Sequence, residues 1–491
     1  EQYPAEVYQD VLKKAGADQN AYTTDDYTNY HITFTKQDLE KIIEIEADRF
    51  KNLSYTEDVF RTEALAVKGE YLKNFSNPIQ KMWERISDLM YDVHTYEHTT
   101  MGFIEDIEAM PEQMEYSRTF FDRWYRPEKT AVILVGDVDA EAAFALVEKH
   151  WGDWERGDYQ VEVPVEPPLD GPKYEHYQWE SPTQPWLTLA YRGPAYEPTG
   201  KEMPALDLMS SIYLSESSDL YKKVVIQEQW VDQLFGYFPD RKDPGMLLIA
   251  ARLTDAGHAA DVGDAINDTL VAARTELVDA KKVAETKSRL RYGFAAQLDN
   301  SGSIGSVLAR FVQFARTPET INEVYATYDA LTAEDIRHYA NSYFVDRSRV
   351  MFTLSNDAAL PGIDGTASVD ERVAAIGMVA GDKAESTAAA DDEDGLPTPD
   401  VAAGEAVPVQ FVTRPSASSP LVDVAFLVHT GAAFDPEGKK GLATLTAALL
   451  TDGGSEAKTI EEINAAMYPI ASGFGAQVDK EMTRLSGPVS Y

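Results

Sequence analysis

Cysteine is absent from all 491 residues. That excludes disulfides and thiolate metal sites, so any bound transition metal would rest on imidazole and carboxylate donors. Long apolar runs are lacking too. None approaches the ~18 residues a membrane-spanning helix requires, so no such span is expected. Basic side chains are scarce, 44 Lys and Arg against 82 Asp and Glu, for a net charge of −38. A phosphate backbone would be repelled, so no nucleic-acid partner is expected. The acidic surface suits cationic peptides, a high-salt habitat or plain solubility.

Apolar residues make up 44% of the chain and aromatics 11%, enough to build sizeable cores. The length implies about three domains. VYQDVLKKAG (7–16) has helical spacing with a closing Gly, and NAYTTDDYTNYHITF (20–34) reads as two strands turning at Asp25-Asp26. Residues 36–50 and 56–75 carry apolar positions at helical spacing, and Thr56-Glu57-Asp58 forms a capped, acidic first turn. TAVILVGDV (130–138) predicts a buried strand, and 140–154 a helix. The Pro- and Glu-rich stretch 157–183 reads as a linker.

A second α+β pattern follows: strands at 186–193 and 245–253, a helix at 202–214, long helices from 257 to 345 and a closing strand at 349–356. Residues 357–407 are acidic and poor in large apolar groups, which predicts a disordered connector. Ordered patterns resume with a strand at 421–431 and helices at 439–451 and 459–469. A shift of 455 residues lays 1–16 over 456–471 and places Thr28 over Thr483, so the last piece repeats the first. Both ends read as cut through folded structure, which predicts a piece of a longer protein.

Glu63 and Glu70 lie nearly two turns apart on the predicted helix 56–75 and so share a face. Alone, such a pair reads as a solvated face. The surrounding text says more. AGADQNAYTTDDYTNYHITF, LEKIIEIEADRF and FRTEALAVKGEY, followed by FFDRWYRPEKTAVILVGDVD and VEKHWGDW, resemble the catalytic domain of the pitrilysin/insulysin (M16) peptidases, a family that includes the mitochondrial processing peptidase. AYRGPAY and LSESSDLYKKV resemble that family's second, non-catalytic domain. GAAFDPEGKKGLATLTAALLTDGG (431–454) resembles the opening of a further one.

The resemblance implies an α+β fold of tandem M16-type (LuxS/MPP-like) domains, each an antiparallel-rich sheet covered by helices on one face. It divides the chain into a first domain at 1–160, a second at 175–356, an acidic disordered linker at 357–407 and a third, degenerate domain at 408–491. It also implies a zinc metalloendopeptidase acting on peptide substrates in a closed chamber. A second half of the same kind would come from the same polypeptide or a partner subunit. A bacterial member of this kind would be expected in the periplasm.

In that frame Glu70 is a zinc ligand, Glu63 its supporting carboxylate, and Asn20-Ala21-Tyr22-Thr23 the strand whose edge binds substrate. The family's H-x-x-E-H motif would lie upstream of residue 1, so two His ligands and the general base are expected to be missing from this chain. In the repeat, Thr444, Ala447 and Ala448 stand at the motif's metal and base positions, and none of them binds zinc. The literal HTYEH at 94–98 sits among poor helix formers and reads as a coincidence. As supplied, the chain is expected to lack catalytic activity. The competing reading is an inactive partner subunit or a peptide-binding scaffold.

Overall fold

A computed structural model describes residues 3–379 and 421–490. The chain opens with α1 (Ala5–Lys14), closed by Gly16 at φ +59°, a left-handed position that only glycine adopts without cost. A hairpin follows, β1 (Asp18–Thr23) against β2 (Thr28–Thr33), turning at the expected Asp25-Asp26. Thr24 shapes that turn by accepting the backbone N–H groups of Asp26 and Tyr27. Tyr8 and Leu12 of α1 then pack on Ile42 and Ile45 of α2 (Leu39–Asn52), forming a small core.

Next come α3 (Glu57–Asn74), α4 (Pro78–Met90), α5 (Ile104–Ala109), α6 (Met114–Trp124) and α7 (Ala140–Trp151). Thr56 caps α3 by accepting from Val59 N, and Asn77 caps α4 ahead of Pro78. The strand predicted at 130–138 does not form. That segment has no ladder partner among the described residues, and Val132 remains 42% exposed. Apolar content alone does not make a strand, because its backbone groups need a neighbouring strand to bond.

The second unit is built on a five-stranded sheet ordered β3-β7-β4-β6-β5: β3 (Lys173–Gln178), β4 (Trp186–Arg192), β5 (Val231–Tyr237), β6 (Met246–Leu253) and β7 (Arg349–Ser355). Only the β3–β7 pair is parallel. One face carries α8 (Glu202–Tyr213), α10 (Ala259–Thr275) and α14 (Ala333–Tyr343), packed through Leu206, Ile266, Ile336 and their neighbours. Between them in sequence lie α9 (Asp219–Tyr221), which runs on as a π-helical turn, and α11 (Ala280–Gln297), α12 (Ser301–Ala315) and α13 (Thr320–Ala330). The opposite face is covered as well. Met82, Ile86 and Met90 of α4 lie on Trp186, Leu248 and Phe352. Helices on both sides explain why β4 is buried at almost every position rather than alternating.

The connector expected from 357 begins later. Leu360 and Val369 are buried, and α15 (Val369–Val379) docks on α10, with Arg372 ion-paired to Asp264 and Asp268 and Asp370 paired to Arg274. Small, polar text hid a helix that is held by charge pairs and two apolar anchors. The rest of that connector, 380–407, lies outside the described residues.

The last unit has β8 (Leu421–Val428), α16 (Leu442–Asp452), α17 (Ile460–Met467), β9 (Gly475–Val478) and β10 (Thr483–Ser490), in a sheet ordered β8-β10-β9. Its resemblance to the first unit extends to hydrogen-bond register. Asn20 faces His31 and Thr23 faces Thr28; Gly475 faces Ser486 and Val478 faces Thr483. Each pair is the other shifted by 455 residues. Tyr468 docks this unit on the second, with its hydroxyl given to Ser211 O at 3.2 Å and its ring under Arg289 and Lys282.

Candidate functional site

Helix α3 packs by one stripe only. Ala64 and Tyr71 are buried, with Tyr71 donating to the buried Glu84 at 2.6 Å. Glu63 and Glu70 lie together on an exposed stripe, and Val59, Leu65 and Leu72 are each more than half exposed. A helix with apolar residues on every side is ordinarily enclosed. Among the described residues no hydrogen bond or ion pair engages either Glu63 or Glu70, although neighbouring Arg61 and Lys68 pair with Glu112 and Glu108. The sequence places the two carboxylates correctly on one face, and the fold leaves both uncommitted.

Strand β1 is exposed along its whole length. Ala21 N–H is taken at 2.8 Å by the side chain of Asn20, so this donor points away from β2, along the strand's outer edge. An edge donor held by a side chain that can swing away is available to an added strand. Tyr22 projects from the same strand, its ring 6.0 Å from that of Tyr27 across the turn.

HTYEH does not build a metal site. Residues 95–97 form a single 3-10 turn, not a helix. His94 is buried, with Nδ1 accepting Tyr96 N–H and Nε2 3.4 Å from Asp243. His98 contacts Thr99 O through Nδ1. Glu175, on β3, is held in a two-point pair with Arg85 at 2.7 and 2.9 Å. The turn's role is mechanical. Tyr96 donates to Asp26 at 2.6 Å, Asp26 also accepts Lys242 N–H, and Arg241 pairs with Asp25 at 2.7 Å. Glu166, whose side chain is almost fully buried, clamps the turn by accepting the backbone N–H groups of Asp92, Val93 and His94.

Among the described residues no group of three or more His, Cys, Asp or Glu is arranged to hold a metal ion. Catalytic zinc takes three protein ligands. Two carboxylates on one stripe do not supply that set, so the described residues by themselves do not fit zinc, and no catalytic step follows from them.

Sequence reasoning missed a second constellation. A cavity of about 600 Å³ opens between the β1–β2 hairpin and helices α8, α11, α12 and α13. Tyr22 and Tyr27 line it from the hairpin, Tyr196, Tyr325 and Tyr328 from the second unit, with Asp207, Asp240 and Arg310 among them. Asp207 Oδ2 accepts the Tyr328 hydroxyl at 2.6 Å. Burial raises the Asp207 pKa, and burial together with Asp207 raises that of Tyr328. Asp240 is already paired with Arg310 at 2.5 Å. The signal was Asp207, an acid in the interior of the largely apolar helix EMPALDLMSSIYL.

An exposed strand edge and a helix bearing uncommitted carboxylates stand beside a helix-backed sheet, the arrangement of a mixed α+β protein. Comparisons with known proteins identify the family. Residues 1–102 match the profile described as insulinase (peptidase family M16), and 113–290 match that described as the peptidase M16 inactive domain. The chain belongs to the M16 peptidase family. It is 25% identical over 346 residues to the zinc protease PqqE of Helicobacter pylori, covering 68% of this chain and 76% of that one. It is 21% identical to the β subunit of the mitochondrial-processing peptidase of Bos taurus, covering 71% and 72%. Among solved structures, a protease from Helicobacter pylori superposes with a TM-score of 0.66 at 23% identity, over 72% of this chain and 86% of that one. The periplasmic protease PqqL of Escherichia coli gives 0.61 at 14% identity, covering 100% of this chain and 58% of that one. The first two units of this fold are therefore M16-type.

Proposed function

We propose that this chain contributes the peptide-binding edge and the carboxylate stripe of a zinc-dependent metalloendopeptidase. A peptide adds to β1 as a further strand, with its carbonyl displacing the Asn20 side chain from Ala21 N–H. Main-chain pairing of this kind tolerates many sequences. Asn20, Ala21, Tyr22 and Thr23 form this edge. Glu70 serves as a zinc ligand and Glu63 orients the ligand set, alongside imidazoles that the described residues do not supply. The domain division at 1–160 and 175–356, with a third unit from 408, belongs to the same reading. So does a second half from the same polypeptide or a partner subunit.

The observation that carries this reading is the state of α3. Two carboxylates without partners stand on a helix whose apolar surface is left half exposed. A purely structural helix of this composition would bury its leucines or pair its acids.

The test uses this chain directly. A labelled extended peptide should bind in fluorescence anisotropy, and Ala21→Pro, which deletes the outward donor without removing a β1–β2 bond, should weaken binding about tenfold. Zinc titration should show far less than one ion per chain. Peptide binding unchanged by Ala21→Pro would overturn the strand assignment, and one tightly held zinc would overturn the ligand assignment. The alternative, an inactive peptide-binding partner, draws on the last unit. There α16 presents Thr444, Ala447 and Ala448, with Ala447 buried and no donor for a metal.

A further inference from the structure

We propose that the turn at 468–471 of the last unit is a reversible latch on the cavity between the hairpin and the second unit. Docked on α11, it closes one wall; released, it opens the interior. That a peptide bound for β1 is what enters rests on the reading above; the latch itself does not.

The contact is built around one side chain. Tyr468 is 6% exposed, and its ring centroid lies 4.6 Å from the Arg289 guanidinium and 4.7 Å from the Lys282 ammonium. Neither cation has an ion-paired carboxylate among the described residues, so the negative face of the ring is a natural partner for both. The Tyr468 hydroxyl donates to Ser211 O of α8 at 3.2 Å and stands 3.2 Å from Thr286 Oγ1 of α11. One tyrosine thus joins the last unit to two helices of the second.

No shared apolar core backs this contact among the described residues. The hydrophobic cores of the first two units include no residue of the last. Domains move readily at an interface that is neither large nor apolar. Close to the docked ring, Ala471 lines the cavity beside Arg289, Gly293 and Phe294 of α11. Ala471 is held at φ +50°, a left-handed conformation that costs any residue but glycine and persists only where its surroundings hold it. Arg289 serves both structures: it sits on Tyr468 and lines the cavity. Tyr22 of β1 lines the same cavity, so opening at Ala471 gives access to the hairpin from within.

The absence of cysteine makes a clean test possible, because one introduced thiol is then the sole reactive one. A Cβ at Gly293 would lie 3.9 Å from that of Ala471, an ordinary contact, so Gly293→Cys fits beneath the docked turn. Its rate of modification by a charged methanethiosulfonate in the full chain reports how often the turn lifts. Ala250→Cys, fully buried in β6, reports loss of fold instead. Tyr468→Ala should raise the rate at 293 at least about tenfold and leave 250 slow. Arg289→Met, which keeps the tyrosine and removes one cation, should raise it several-fold and serves as the second variant. A rate at 293 that is unchanged in both variants, or that rises in each only together with the rate at 250, would overturn the latch. In parallel, association of the labelled extended peptide with the chain carrying Tyr468→Ala is followed by stopped-flow anisotropy and should be several-fold faster than with the unaltered chain. Faster thiol modification without any peptide binding would support the latch and sink the strand assignment. Peptide association at an unchanged rate would overturn the latch as the peptide's entry and spare the strand.

Discussion

Tyr96 gives its hydroxyl proton to Asp26 at 2.6 Å, fastening the hairpin tip to a loop that is itself seated on the second sheet. The same hydroxyl accepts Asp243 N–H at 3.2 Å, so one oxygen joins three chain segments. Tyr96→Phe should cost about 1–3 kcal/mol, because Asp26 and the Asp243 amide both lose a partner. Hydrogen exchange at residues 23–28 should accelerate more than exchange in β4 or β6. Equal acceleration in both regions would show that the contact does not act on the hairpin.

Glu166 makes the same loop sensitive to acid. Burial raises its pKa, but the three backbone donors at 92–94 and the Arg192 guanidinium outweigh this and hold it below the usual carboxylate value. A group with a depressed folded pKa stabilises above its unfolded value, near 4.3, and that contribution is lost as pH falls through the folded value. At pH 7 Glu166→Gln should therefore unfold about 2 kcal/mol more easily than the unaltered chain. The difference should shrink steadily in denaturant melts below about pH 4. A gap that stays constant to pH 2 would rule out the charge as its source.

Glu63 and Glu70 should behave in the opposite way. Both are exposed and without partners, so Glu63→Gln and Glu70→Gln should change stability by less than about 0.5 kcal/mol. A clear loss of stability in thermal melts would show a structural role and weaken the case for a ligand.

His94 separates a motif from a packing residue. His94→Ala should cost about 1–3 kcal/mol in denaturant melts, since it opens a buried site and strands Tyr96 N–H. Unchanged melting would show that His94 does not hold this turn.

Ile86 reports on the union of the first two units. It is fully buried, on α4 against the second sheet. Ile86→Ala should cost about 2–5 kcal/mol in chemical denaturation. If only the first unit's probes respond, the units unfold separately.

Much of this protein was legible from local pattern. The hairpin turning at Asp25-Asp26, the capped start of α3 and the shared stripe of Glu63 and Glu70 follow from turn chemistry, capping and helical period, which act over a few residues. The 455-residue repeat was equally visible, and the register shared by Asn20–His31 and Gly475–Ser486 gives it structural form. These features need only neighbours in sequence. The missing strand at 130–138, the docked helix α15 and the second covered face of the sheet were decided elsewhere. A ladder partner, a matching charge and an opposing apolar surface are supplied by residues far along the chain, and no local period encodes them. The same holds for the cavity. Tyr22, Asp207 and Tyr328 meet only once the hairpin is pinned to the second unit, so tertiary folding, not spelling, placed a buried carboxylate among tyrosines and arginines.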